Sequence, residues 1–136
     1  MAHTILIVDD SPDVCNIVRT FLQRDRDFKI CGEAGSGLEA IKKAEELRPD
    51  LVLLDLKMPG LNGIEVATIL KRVLPKAQIV LFSAYTESLG GTTLASAAGI
   101  DLIVQKGSLA DMAQSLKTLI SRKWVSPVND APEPTM

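Results

Sequence analysis

Four short apolar runs, spaced by amphipathic segments, constrain the fold of this chain more than any other feature. Ile5-Leu6-Ile7-Val8, Leu51-Val52-Leu53-Leu54, Ile79-Val80-Leu81-Phe82 and Leu102-Ile103-Val104 are continuous and rich in β-branched side chains. Strands read this way when both faces are covered, as in a parallel sheet; a strand with one wet face alternates instead. Phe28-Lys29-Ile30-Cys31 does alternate, which suits a strand at a sheet edge.

Helical patterns fill the gaps. Val14, Ile17, Val18, Phe21 and Leu22 share one face, behind Ser11 as N-cap and Pro12 at the first helical position. Ser36 and Glu39 have capping-box spacing ahead of Ile41, Ala44 and Leu47, and Pro49 ends that helix. Asn62 caps a helix carrying Val66, Ile69, Leu70 and Val73. Ser108 and Asp111 open the last one, with Met112, Ala113, Leu116, Leu119 and Ile120 turned inward. The segment Glu87 to Ala98 reads as a short or labile helix closed by Gly99, because each glycine of Gly90-Gly91 costs roughly 1 kcal/mol relative to alanine. Five strands and five helices in strict alternation make an α/β, doubly wound (βα)5 domain, a flavodoxin-like three-layer sandwich. Right-handed crossovers and an alternating second strand at the edge give the parallel order 2-1-3-4-5.

A chain of 136 residues is the size of one domain. We place that domain at residues 1–123. From Trp124 the periodicity fails, and Pro127, Pro132 and Pro134 fall among small and acidic residues, so 124–136 reads as a C-terminal tail or the start of a linker. No internal repeat is present. With 46% hydrophobic and 24% charged residues the chain has the balance of a folded protein. A net charge of -2 offers no basic excess for nucleic acid or an anionic membrane. No apolar run approaches the roughly 18–20 residues that span a bilayer, and Met1-Ala2-His3-Thr4 lacks the features of a signal peptide, so the cytoplasm is the expected compartment. Cys15 and Cys31 lie in periodic apolar segments and are expected to be buried free thiols. With His3 as the single histidine, a zinc site lacks ligands.

Asp9-Asp10 follows the first strand and Asp55 the third. In a doubly wound sheet these strands flank the switch point, beyond whose carboxyl ends ligands bind. One aspartate at a strand end is ordinarily a turn residue or helix cap. Three converging carboxylates repel one another, and a divalent cation resolves the conflict; an oxygen-only donor set suits Mg2+ or Mn2+. Ser83 ends the fourth strand and Lys106 follows the fifth, bringing a hydroxyl and an ammonium to the same face. Alone, each is a routine cap or solvated charge. With the acids they can stabilise a transferring phosphoryl group.

The stretches Ile7-Val8-Asp9-Asp10-Ser11, Leu53-Leu54-Asp55-Leu56-Lys57-Met58-Pro59-Gly60, Asn62-Gly63, Phe82-Ser83-Ala84, Ala98-Gly99 and Lys106 resemble those of bacterial response-regulator receiver domains, from about Thr4 to Arg122. The resemblance implies that Asp55 is the phosphoacceptor. It implies Asp10, Asp55 and the backbone carbonyl of Lys57 as metal ligands, Asp9 acting through water, Lys106 pairing with the phosphoryl group, and Ser83 swinging toward it. The implied donor is a sensor histidine kinase or phosphotransfer protein. The implied output is a downstream protein target or output domain, with a homodimer through the fourth helix, fifth strand and last helix as a family-level expectation.

Three positions depart from the family pattern. Ile103 stands where an aromatic switch residue is common. Gly107 replaces a proline that often follows the lysine, so no cis bond is expected there. Lys57 and Tyr85 stand at positions that shape the path of hydrolytic water, and are expected to slow dephosphorylation. Three other readings compete. A haloacid-dehalogenase-type phosphatase wants an acid where Lys57 stands. A flavodoxin-like cofactor binder wants a Gly/Ser/Thr-rich loop where Asp9-Asp10 would repel phosphate. A degenerate receiver, binding partners without phosphorylation, is the third.

Overall fold

A computed structural model describes residues 2–55, 63–83, 99–105 and 108–129. The elements are β1 (His3–Val8), α1 (Pro12–Leu22), β2 (Phe28–Ala34), α2 (Gly37–Leu47), β3 (Leu51–Asp55), α3 (Gly63–Val73), β4 (Gln78–Ser83), β5 (Leu102–Gln105) and α4 (Leu109–Asn129). All five strands are parallel, in the order β2-β1-β3-β4-β5. The segment expected to hold a further helix before Gly99 lies outside the described residues. So do Asn62, Lys57, Tyr85, Lys106 and Gly107.

The continuous apolar runs are explained by the two layers they separate. Alternate strand residues, among them Leu6, Val8, Leu54 and Leu81, pack with Ala40 and Ala44 of α2 and Val66 and Leu70 of α3. The others, among them Ile7, Leu53 and Val80, pack on the opposite face with Cys15 and Val18 of α1 and Met112 and Leu116 of α4. Each large side chain so buried contributes roughly 1.5–3 kcal/mol. β2 is an edge strand, as its alternation predicts, and its pairing skips one residue: Ile5 pairs with Ile30 and Leu6 with Gly32. The extra residue is Cys31, which is consequently half-buried rather than buried. Both cysteines are free.

The helix starts follow the sequence. Val14 donates its backbone N–H to Ser11 Oγ at 3.3 Å, and Asp111 to Ser108 Oγ at 3.1 Å. At α2 the Glu39 amide donates to Ser36 Oγ at 3.2 Å, while Glu39 Oε1 accepts from the Gly35 amide at 2.7 Å, one residue before the cap. Arg48, left-handed at φ 47°, closes α2 just before Pro49. Two residues expected inward are not: Ile17 is 54% and Leu47 42% exposed. The buried stripes are narrower, carried by Cys15, Val18 and Leu22 on α1 and by Gly37, Ala40 and Ala44 on α2. At its far end α4 continues to Asn129, beyond the point where the sequence reading begins a tail. Trp124 to Ser126 contain no glycine or proline, and Pro127 falls only in the last turn of the helix.

Candidate metal centre at the sheet switch point

β1 lies between β2 and β3, so the chain turns to opposite sides of the sheet on leaving β1 and β3. The register Val8↔Leu54 brings the residues that follow, Asp9 and Asp55, level at the carboxyl edge. Asp9 is 3% and Asp55 6% exposed, whereas Asp10 is exposed. One carboxylate oxygen from each of the three lies within 4.8 Å of the others. The backbone fixes Asp9 at both ends. Its N–H donates to the Ala34 carbonyl at 3.0 Å, and its Oδ1 accepts from the Ser11 amide at 2.9 Å. The second contact is an Asx-type turn that also presents Ser11 to cap α1. Ser11 thus caps α1, as its place before Pro12 predicts, and also holds Asp9, a contact whose signal in the sequence is the Asp-x-Ser spacing.

Two buried carboxylates beside a third are costly unless something positive joins them. The donors are all hard oxygens, and their mutual separation lets one ion reach all three. They fit Mg2+ or Mn2+ and, with no nitrogen or sulfur donor, not a structural zinc. Cys15 is close by, its Sγ donating to the Asp9 carbonyl at 3.5 Å. Burial, then the charges of Glu33 and Asp9, push its thiol up to about 11, as befits a thiol packed in the core. Burial also raises the Cys31 thiol.

On the other flank, Asp55 pairs with Phe82, and Ser83 pairs with Gln105. The chain therefore delivers the backbone of Ser83 one residue beyond the Asp55 level. Gln105 immediately precedes Lys106, which lies outside the described residues together with Lys57 and Tyr85. Ile103 is half-buried and packs toward the α2–α3 layer.

The family model of the response regulator receiver domain matches residues 5–118. The chain belongs to the response regulator receiver family. Its relatives include the response regulator protein VraR of Staphylococcus epidermidis, 35% identical over 118 residues that cover 86% of this chain and 56% of VraR. The chain thus spans little more than half the length of the curated relatives it matches. Among solved structures, the response regulator TrrA of Thermotoga maritima, in complex with Mg2+-BeF, is 34% identical with a TM-score of 0.77, covering 88% of this chain and 99% of TrrA. A chain of the complex between the P1 domain of CheA3 and CheY6 from R. sphaeroides is 28% identical with a TM-score of 0.75, covering 88% of this chain and 97% of that one. The receiver fold and its two-component signalling role agree with the expectation from sequence, and no helix among the described residues is long and apolar enough to cross a membrane.

Proposed function

We propose that this receiver domain accepts a phosphoryl group on Asp55 in a Mg2+-dependent reaction. The observation that carries the reading is the meeting of Asp9, Asp10 and Asp55 at the carboxyl edge of adjacent strands. Asp10, Asp55 and the Lys57 carbonyl would hold the ion, with Asp9 acting through water. When bound, the ion supplies positive charge that offsets the phosphoryl oxygens.

Asp55 is the nucleophile, and as a carboxylate at neutral pH it needs no base. One of its oxygens forms a bond to phosphorus while the P–N bond to the donor imidazole breaks, and that nitrogen keeps the electron pair. Lys106 neutralises a phosphoryl oxygen, and Ser83 donates a hydrogen bond to another. The donor is a sensor histidine kinase or phosphotransfer protein; the P1–CheY6 complex of the R. sphaeroides relative supports that class of partner. The domain catalyses only its own phosphorylation and dephosphorylation, acts in the cytoplasm, and passes the signal to a protein target or an output domain. Ile103 replaces the aromatic half of the switch, while Lys57 and Tyr85 slow the loss of the phosphoryl group.

Phosphotransfer from a labelled phosphohistidine domain tests this. Label is expected on the wild type and not on Asp55→Ala, and Asp10→Asn should lose the Mg2+-dependent labelling. Label that persists on Asp55→Ala would refute the assignment. In the same samples Lys57→Ala and Tyr85→Ala should shorten the lifetime of the label; an unchanged lifetime refutes their tuning role.

A further inference from the structure

We infer that Asp101 and Lys71 are positioning residues for this phosphoryl site: from the opposite edge of the sheet they fix the register of β5, and with it the place of Lys106. The inference rests on the role proposed above for Lys106.

β5 is a four-residue strand at the edge of the sheet, with β4 as its only strand neighbour among the described residues. Register is normally set by which residues a strand can bury, because a slip of one residue exchanges its faces. That control is weak here. Leu102, Ile103 and Val104 are all apolar, and Ile103 and Val104 already pack on opposite faces of the sheet. A slipped strand would still bury apolar side chains, yet it would move the backbone of Gln105, the residue that precedes Lys106 in the chain, by about 3.3 Å.

Polar contacts at Asp101 supply the missing specification. Its backbone N–H donates to the Ile79 carbonyl at 2.8 Å, and its Oδ2 accepts from the Ile79 amide at 2.7 Å. One residue thereby holds both backbone groups of Ile79, and the alignment Val80↔Leu102 through Ser83↔Gln105 follows. Lys71 of α3 holds Asp101 in turn. Its Nζ is 3.0 Å from Asp101 Oδ2 and donates to the Ala77 carbonyl at 2.9 Å. The stem of Lys71 also lies across Gly99, where a Cβ would come within 2.4 Å of Lys71 Cγ, and Gly99 has φ 84°. The entry to β5 is thus held by β4 through Ile79 and by α3 through Lys71. Thr4 and Asp50 make the matching arrangement between β1 and β3, the Thr4 amide donating to Asp50 Oδ2 at 2.9 Å and the Asp50 amide to the Thr4 carbonyl at 3.0 Å.

The test measures the rate of Mg2+-dependent labelling of the full chain by acetyl phosphate, with Mg2+ affinity and melting temperature measured beside it. Asp101→Ala is expected to slow labelling on the order of 10- to 100-fold, the scale of a small misplacement of a reacting group. Asp101→Asn, which keeps an acceptor for Ile79, should recover part of the rate. Lys71→Met keeps the stem on Gly99 and guards against a variant that fails to fold. Mg2+ affinity should stay at the wild-type value in all three. The decisive comparison is in the Lys106→Ala background, where Asp101→Ala should slow labelling no further. Equal slowing in both backgrounds, or none in either, would overturn the inference while leaving the Lys106 assignment in place. A Lys106→Ala protein that labels at the wild-type rate would overturn the Lys106 assignment itself, and this inference with it.

Discussion

Asp9 and Asp55 are acids in positions that a core would otherwise give to apolar side chains, and the backbone around them keeps them usable. Asp9 is held by the Ala34 carbonyl and the Ser11 amide, which fixes its carboxylate beside Asp10. These residues were legible in the sequence because an acid directly after a buried strand can point to only one end of the sheet. Cys31 was misplaced because periodicity does not report a bulge. Cys15 illustrates the opposite case, a thiol whose 3% exposure follows from its helical spacing. At pH 8 and in the folded protein, Cys15 should alkylate with iodoacetamide roughly 100-fold more slowly than after unfolding in guanidinium, since its pKa stands near 11 rather than 9.0. Equal rates before and after unfolding would show the site to be open.

At the scale of elements, caps and stop signals were the most readable features. Ser11, Ser36 and Ser108 each cap the helix that their sequence context assigns to them. Ser36→Ala should destabilise the domain by about 1 kcal/mol in urea unfolding, with an unchanged slope; no change would mean that the Glu39–Gly35 contact alone secures the start of α2. Side-chain facing was less readable. Ile17 and Leu47 satisfy a helical apolar period yet stand at the margin of their stripes, which Cys15, Val18 and Leu22 carry on α1 and Gly37, Ala40 and Ala44 on α2. The last helix outruns its sequence limits for a related reason: loss of apolar periodicity marks the end of a buried face, not of the hydrogen-bonded backbone.

For the whole molecule, strand order was the most consequential expectation, and local physics was enough to reach it. Continuous runs require cover on both faces, an alternating run belongs at an edge, and right-handed crossovers leave few alternatives. The order β2-β1-β3-β4-β5 then brings Asp9, Asp10 and Asp55 together with no further assumption. What periodicity could not supply was the polar pinning of the strands at the opposite edge, by Asp50 and Asp101, since each contact joins residues distant in sequence. The domain is thus held by polar contacts at one edge of its sheet, and its three acids gather at the other. Mg2+-dependent acceptance of a phosphoryl group by Asp55 is read by intact-mass spectrometry after incubation with acetyl phosphate, with and without Mg2+. One added phosphoryl group is expected only when Mg2+ is present, and none on Asp55→Ala. A gain that ignores Mg2+, a gain that survives Asp55→Ala, or no gain from either acetyl phosphate or a phosphohistidine donor would contradict it.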